Sequence, residues 1–493
     1  MKMDKTKQSN ALLWLVAIGF FMETLDGTIV NTAIPTMAKA LQVSPLSMQS
    51  VIVAYSLTLA VFIPASGWIA DRFGTRRVFF SAIAIFTLGS FLCSQSHTLG
   101  QIVAARVVQG TGGSMMLPVG RLAVLRAYPG EKYLNALAFI SMPALVGPLT
   151  GPTLGGWIVQ YTSWHWIFLV NIPVGIIGCV ATYLTMPSDM SIPKRSFDSF
   201  GFGLLSLAMV SVSLALDGKA ELGFSAMVIG SLAIFAGSCL GVYVRHAQRV
   251  AEPLFSLNLF KINTYRIGIL GNLISRMGSS GMPYLVPLYL QVHLKDSPLA
   301  AGMSMIPIAL AAILAKKAIP GLILWLGYRR FLIVNTVLLG SVIASVALIS
   351  ASEPVPLRIA QLFAFGMLNS MQFTAMNTVT LKDLDPIVSG SGSTMFSMVQ
   401  MVAMSFGVAI AGVVLKLFQS SFGTGSAFTA TFVTLGLTTC LSSTIFAKIP
   451  AHAPASAKAR TPKPMRRLVV GRRAHRIASI ARREAQPSES SSA

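Results

Sequence analysis

Charge is what this sequence has least of. Charged residues are 11% of the 493, and only 16 of them are acids, where a soluble domain carries about 25% charged residues. Apolar residues are 54% and mean hydropathy is +0.69. That balance excludes an ordinary soluble globule and points to a polytopic membrane protein. Cysteine is scarce too. Cys93, Cys179, Cys239 and Cys440 all fall in apolar stretches, with neither metal-ligand spacing nor a disulfide pattern. They read as small buried apolar residues, and no metal site is expected. No G-x-x-x-x-G-K-[ST] loop is present, which argues against a nucleotide-driven pump. No nucleophile or paired-acid constellation suggests an enzyme. The first apolar stretch is too long for a signal-peptide core and lacks an A-x-A site, so it reads as a retained span.

Long apolar runs are what the chain has in abundance. About 20 apolar residues cross a bilayer, and about fourteen such runs are expected: 11–35, 48–70, 78–96, 99–125, 134–159, 164–186, 200–216, 223–244, 265–290, 298–325, 331–351, 355–380, 390–418 and 426–447. Sixteen lysines and arginines fall in the tail and loops on the odd-numbered side, against Lys39, Lys219 and Lys295 opposite. The positive-inside rule then places both termini in the cytoplasm. Net charge is +22, and residues 448–493 alone carry 11 Lys/Arg against 2 Asp/Glu. This basic tail reads as a disordered cytoplasmic extension, with an amphipathic surface helix over Met465–Arg483 as the alternative. Basic loops and tail fit a membrane protein without any nucleic-acid partner.

The first run holds Glu23 and Asp26. A carboxylate at span depth costs roughly 2.5–3.5 kcal/mol on insertion scales. At spacing i,i+3 the two share a helix face. They are the first candidates for proton exchange, and the plain alternative is a hydrogen-bonded patch between helices. An internal repeat is also visible. Ser44-Pro45-Leu46 returns as Ser297-Pro298-Leu299, and Gly74-x-Arg76-Arg77 as Gly327-x-Arg329-Arg330, both at an offset of 253 residues. Each Ser-Pro reads as an N-cap followed by an N1 proline. The expected organisation is a cytoplasmic start (1–10), a six-span bundle (11–186), a linker with two inserted spans (187–264), a second six-span bundle (265–447) and the basic tail (448–493). Duplicated halves of this kind mark secondary transporters, with the site between them near the midplane.

Four motifs sharpen this. Gly67-Trp-Ile-Ala-Asp71-Arg72-Phe-Gly74-Thr-Arg76-Arg77 combines turn-forming glycines with an acid among cations. Leu25-Asp26-Gly-Thr-Ile-Val-Asn31 lies in the first span, Arg106-Val-Val-Gln109-Gly110 in the fourth and Gly147-Pro148-Leu-Thr-Gly151-Pro152-Thr-Leu-Gly155-Gly156 in the fifth. With Trp164-His165-Trp166 and Asn171-Ile-Pro173 before the sixth, the chain from about 10 to 450 resembles the 14-span drug:proton antiporters of the major facilitator superfamily. The resemblance implies an all-α fold of two pseudo-symmetric six-helix bundles plus two inserted helices. It implies that Arg106 takes part in proton coupling, that the fifth-span motif favours outward transport, and that the protein is a monomer. Depth agrees independently: Asp26 and Arg106 both lie about 10–14 Å below the outer surface at 1.5 Å per residue, so they are able to pair. Pro148 and Pro152 remove backbone donors, and glycines four apart admit a neighbouring helix.

The second half departs from the pattern: at the same offset Asp71 becomes Leu324, Gly67 becomes Pro320 and Glu23 becomes Arg276. Asn31, Gln109, Arg276, Lys316 and Lys317 are candidates for the substrate cavity, with snorkelling as the alternative for the two lysines. The expectation is proton-coupled export of small molecules by alternating access across a bacterial inner membrane, with no cofactor beyond the proton gradient. Two rivals stand beside it: an exporter of an anionic metabolite or metal chelate, and a non-transporting membrane sensor or assembly subunit.

Overall fold

The computed structural model describes residues 5–128, 131–187, 196–221, 223–250, 252–349, 354–384 and 386–450. The basic tail beyond 450, with its amphipathic alternative, lies outside them, as do Lys194 and Arg195. The described residues are helical with no strand. The first half contains α1 (Lys5–Ala40), α2 (Gln49–Phe73), α3 (Thr75–Ser94), α4 (Leu99–Ala127), α5 (Glu131–Tyr161), α6 (Trp166–Leu169) and α7 (Asn171–Thr185). A hairpin of α8 (Ser199–Glu221) and α9 (Ala226–Arg249) follows. The rest is α10 (Asn263–Ser279), α11 (Met282–Val292), α12 (Pro298–Met303), α13 (Ile306–Ser345), α14 (Val355–Leu381), α15 (Pro386–Phe422), α16 (Thr424–Leu441) and α17 (Ser443–Phe446).

All fourteen expected spans fall on helices. Among the described residues nine helical stretches are long and apolar enough to cross a membrane, and one of these, Pro298–Leu348, takes in two expected spans. They part at Gly327, whose φ of 73° interrupts α13. Its repeat partner Gly74 separates α2 from α3 with φ 87°. Both positions need a left-handed backbone that L side chains resist, so the sequence repeat is also a conformational one. The Ser-Pro repeat holds less well. Ser297 caps α12, its hydroxyl accepting from Ala300 N at 3.2 Å with Pro298 behind it. Ser44 opens only a turn, accepting from Leu46 N at 3.3 Å, and α2 begins later, at Gln49. Buried Leu46 and Met48 anchor that turn in the core.

In the first half α1 packs on α5, α4 and α7, while α3 packs on α4 and α7. In the second, α13 packs on α14 and α16, and α10 on α14, α15 and α16. The halves meet through α2 and α15, α5 and α12, and α1 and α11. The largest apolar core joins both halves, through Ile34, Met37, Tyr284 and Phe428. It lies at the end away from Lys5. Towards the termini, Phe20 and Phe79 sit in one core and Phe331 and Met376 in another. Inter-half hydrogen bonds at the same far end join Gln291 to the Thr32 carbonyl at 2.9 Å, Leu299 N to Gln160 at 3.1 Å and Thr153 to the Gly302 carbonyl at 3.3 Å. The α8–α9 hairpin lies against α2 and α15. Phe197 and Phe202 stack towards Trp68 and Phe62 of α2, with ring centroids 4.9 and 6.2 Å apart.

Candidate functional site

Three helices carry one buried ionic cluster. α1 supplies Asp26, α4 supplies Arg106 and Gln109 one turn apart, and Asn171 opens α7. Arg106 Nη1 donates to Asp26 Oδ2 at 2.6 Å and to Gln109 Oε1 at 2.6 Å. Its Nε reaches the Val51 carbonyl at 3.4 Å, and its guanidinium lies 4.1 Å from the Tyr55 ring centroid. Asp26 Oδ1 accepts from Gln109 Nε2 at 2.9 Å and Asn171 Nδ2 at 3.0 Å. Ser90 of α3 accepts from Gln109 at 2.7 Å. Asp26 and Arg106 are 0% and 1% exposed. A buried pair persists only when its remaining lone pairs and N–H groups are met, and here Gln109, Asn171 and the Val51 carbonyl serve them while Ser90 accepts from Gln109 and Asn171.

Glu23 shares the α1 face but has a different setting. It lines a cavity of about 240 Å³ between the halves, with Asn31, Tyr55, Tyr284, Met401 and Met404. Arg106 also touches this cavity. Glu23 Oε2 has no hydrogen-bond partner among the described residues. Arg121 of α4 lies over the Phe20 ring at 5.9 Å, on the same stretch of α1 as Glu23.

The other candidates divide. Asn31 lines the cavity, while Gln109 is buried in the Asp26 cluster and takes no part in the lining. Arg276 lies a turn away from the lining residue Ser280. Lys316 and Lys317 are exposed on α13 and do not line this cavity: Ala311, Ala315 and Ile319 form the buried stripe of that helix, with Lys316 on its flank and Lys317 on the opposite face. In the loop motif, Asp71 accepts from Arg126 at the end of α4 at 2.9 Å. Arg72 lies 5.6 Å from the Trp68 ring centroid, and Arg76 donates to the Tyr183 carbonyl and lies over its ring. Gly67 and Arg77 are exposed.

α5 runs unbroken through Pro148 and Pro152. A methyl at Gly147, Gly151 or Gly155 would strike Thr24, Thr28 or the Ile29 carbonyl of α1, so the glycine stripe sets how closely α5 approaches the helix carrying Asp26. Pro152 also accepts from Thr32 at 3.0 Å. Gly156 faces Pro298 of α12 instead. His165 stacks on Trp164 at 3.8 Å and meets Ser163 at 2.6 Å. Sequence reasoning gave no role to Asn171 or Ser90. The available signal was the position of Asn171 within the quoted motif before the sixth span.

The chain belongs to the Major Facilitator Superfamily, whose family model matches residues 16–408. It is 47% identical over 445 residues to a protein of Serratia proteamaculans to which multidrug resistance is ascribed under the name MdtD, covering 89% of this chain and 93% of that one. An Enterobacter protein of the same name is 45% identical over 447 residues, covering 89% and 94%. Among solved structures, a peptide transporter of the POT family in complex with sulfate superposes with a TM-score of 0.67 at 15% identity, covering 90% of this chain and 97% of that one. The nucleoside transporter NupG gives 0.63 at 16%, covering 88% and 98%. At such identities these two structures speak for the fold alone.

Proposed function

We propose that the protein is a proton-coupled secondary transporter that exports small molecules by alternating access, of the multidrug type ascribed to its relatives. The observation that carries the reading is the buried Asp26–Arg106 pair beside a cavity lined by Glu23. Protonating Asp26 removes the charge that holds Arg106, which turns to the cavity and weakens the α1–α4 link. Glu23, at the cavity wall, receives the proton first and passes it inward. Met401, Met404, Tyr55 and Tyr284 offer soft apolar contact suited to varied substrates. Each proton moved through 100 mV supplies about 2.3 kcal/mol.

The two bundles rock as units about the central cavity, and the far-end packing opens when that cavity turns outward. With both termini in the cytoplasm of a bacterial inner membrane, that packing seals the outer side and leaves the cavity facing inward. The loop motif at Asp71 braces α2 against α4, and the glycine stripe of α5 keeps the shared helix pair tight. The transporter works as a monomer in the bilayer, with no cofactor beyond the proton gradient. Purified protein in proteoliposomes, given a pH gradient and a panel of cationic dyes and organic acids, tests this. Asp26→Asn inserts and reconstitutes but loses proton-driven export. Proton antiport retained in that variant removes the proposal.

A further inference from the structure

α10 carries polar groups that no other described residue answers. Asn272 and Ser275 are both 0% exposed. Among the described residues neither end of the Asn272 amide has a partner, the Ser275 hydroxyl has none, and Arg276 Nε is sealed without an acceptor. The Arg276 guanidinium does lie on the Phe373 ring of α14, 4.6 Å from its centroid. A ring face attracts the cation but leaves its charge unneutralised. Residues 272, 275 and 276 fall within about 100° of one helix face. Ser280, a turn further along that face, lines the central cavity.

The contrast with Arg106 is direct. Arg106 has a carboxylate at 2.6 Å, whereas Arg276 has no carboxylate among the described residues. An unpaired guanidinium inside a membrane protein is costly. An acceptor-rich negative group is able to take N–H bonds from the planar fork together with Asn272 Nδ2–H and the Ser275 hydroxyl. Carboxylates and inorganic oxyanions have that chemistry. The remaining acceptor, Asn272 Oδ1, is met by water or by a hydroxyl of the same ligand.

We propose that Arg276, Asn272 and Ser275 form an oxyanion-binding site in the second half, loaded from the central cavity. Arg276 supplies the charge and the other two supply orienting donors. The site does not depend on proton coupling at Asp26.

The test is a thermal-unfolding titration of the purified full-length protein with sodium sulfate and sodium benzoate, against sodium chloride at matched ionic strength. Both oxyanions raise the unfolding temperature saturably above the chloride control. Arg276→Gln abolishes the saturable rise and is itself more thermostable than wild type without oxyanion. Arg276→Lys keeps it with about tenfold weaker affinity, and Asn272→Leu with Ser275→Ala weakens it by a similar factor. These last variants also serve if Arg276→Gln fails to fold. A response to benzoate and sulfate alike marks a free-oxyanion site, and a response to benzoate alone marks the carboxylate end of an organic ligand. Asp26→Asn retains the response even if export fails, which separates this proposal from proton coupling. No response above chloride, or a full response in Arg276→Gln, overturns it and leaves a cluster that holds water only.

Discussion

The two halves share a backbone plan and differ in what they bury. The first buries opposite charges: Asp26 and Arg106, with Gln109, Asn171 and Ser90 around them. The second buries a neutral network, in which Asn335 donates to Gln372 at 2.8 Å and Gln372 donates to Thr336 at 2.6 Å. Arg276 stands apart from that network. The comparison teaches that duplication conserved the positions of turns and helices while the interiors diverged. Of the residues lining the cavity, the acid and the base, Glu23 and Arg106, both come from the first half.

The strongest way to break this contrast is at the charges. Asp26→Asn leaves Arg106 buried beside a neutral group and is expected to cost about 3–5 kcal/mol. Asp26→Asn with Arg106→Gln is expected to recover most of that stability and none of the export, by unfolding in detergent and flux in proteoliposomes. Overfilling the α1–α5 seam comes next. Gly151→Val drives a branched side chain into Thr28 and is expected to cost about 1–3 kcal/mol, read as a lowered unfolding temperature. In the hairpin, Gly237 meets nothing within 4 Å, so Gly237→Ala is expected to be neutral or to stabilise by up to about 1 kcal/mol. In the neutral network, Gln372→Leu removes the bonds to Asn335 and Thr336, while Asn335 keeps its bond to the Leu368 carbonyl at 3.0 Å; the expected cost is about 1–2 kcal/mol, with proton-driven flux per folded molecule preserved. Loss of coupling there would erase the division of labour between the halves.

The smallest effect concerns pH at the base of the hairpin. Burial would raise the Asp198 pKa, but N–H bonds from Leu254 at 3.0 Å and Gly201 at 2.8 Å, with His246 at 2.7 Å, outweigh it and hold it below the ordinary carboxylate value. A depressed folded-state pKa stabilises above the unfolded value and is lost as pH falls through the folded one. The unfolding temperature of Asp198→Asn is therefore expected to trail wild type by a constant margin from about pH 5 to 6, narrowing towards about pH 3. A margin that widens in acid would reverse the assignment.

Much of this architecture was legible because membrane spans are written in long apolar runs and their turns in glycine. Gly74 and Gly327 announced themselves by spacing, Asp26 by the rarity of acids within spans, and Arg106 by its motif and its depth equal to that of Asp26. Neutral polar residues gave no such warning. Asn171, Ser90, Asn272 and Ser275 look like any other amide or hydroxyl in a span, because their importance depends on helix rotation, which composition does not encode. Gln109 was seen but placed in the cavity, since a one-turn spacing from Arg106 does not reveal that the amide turns towards Asp26. Lys316 and Lys317 looked like cavity residues by depth alone, and the buried stripe of α13 turns them away.

At the junction of α5 and α12, Gly156 abuts the Pro298 carbonyl and Gly302 abuts the Pro152 carbonyl, each half offering bare backbone to the other. Gln160 and Thr153 each reach a single backbone atom across this seam, and where the glycines meet the carbonyls the two faces lie together like smooth tiles. A single added methyl on either tile would act as a doorstop, holding ajar what the cell needs shut.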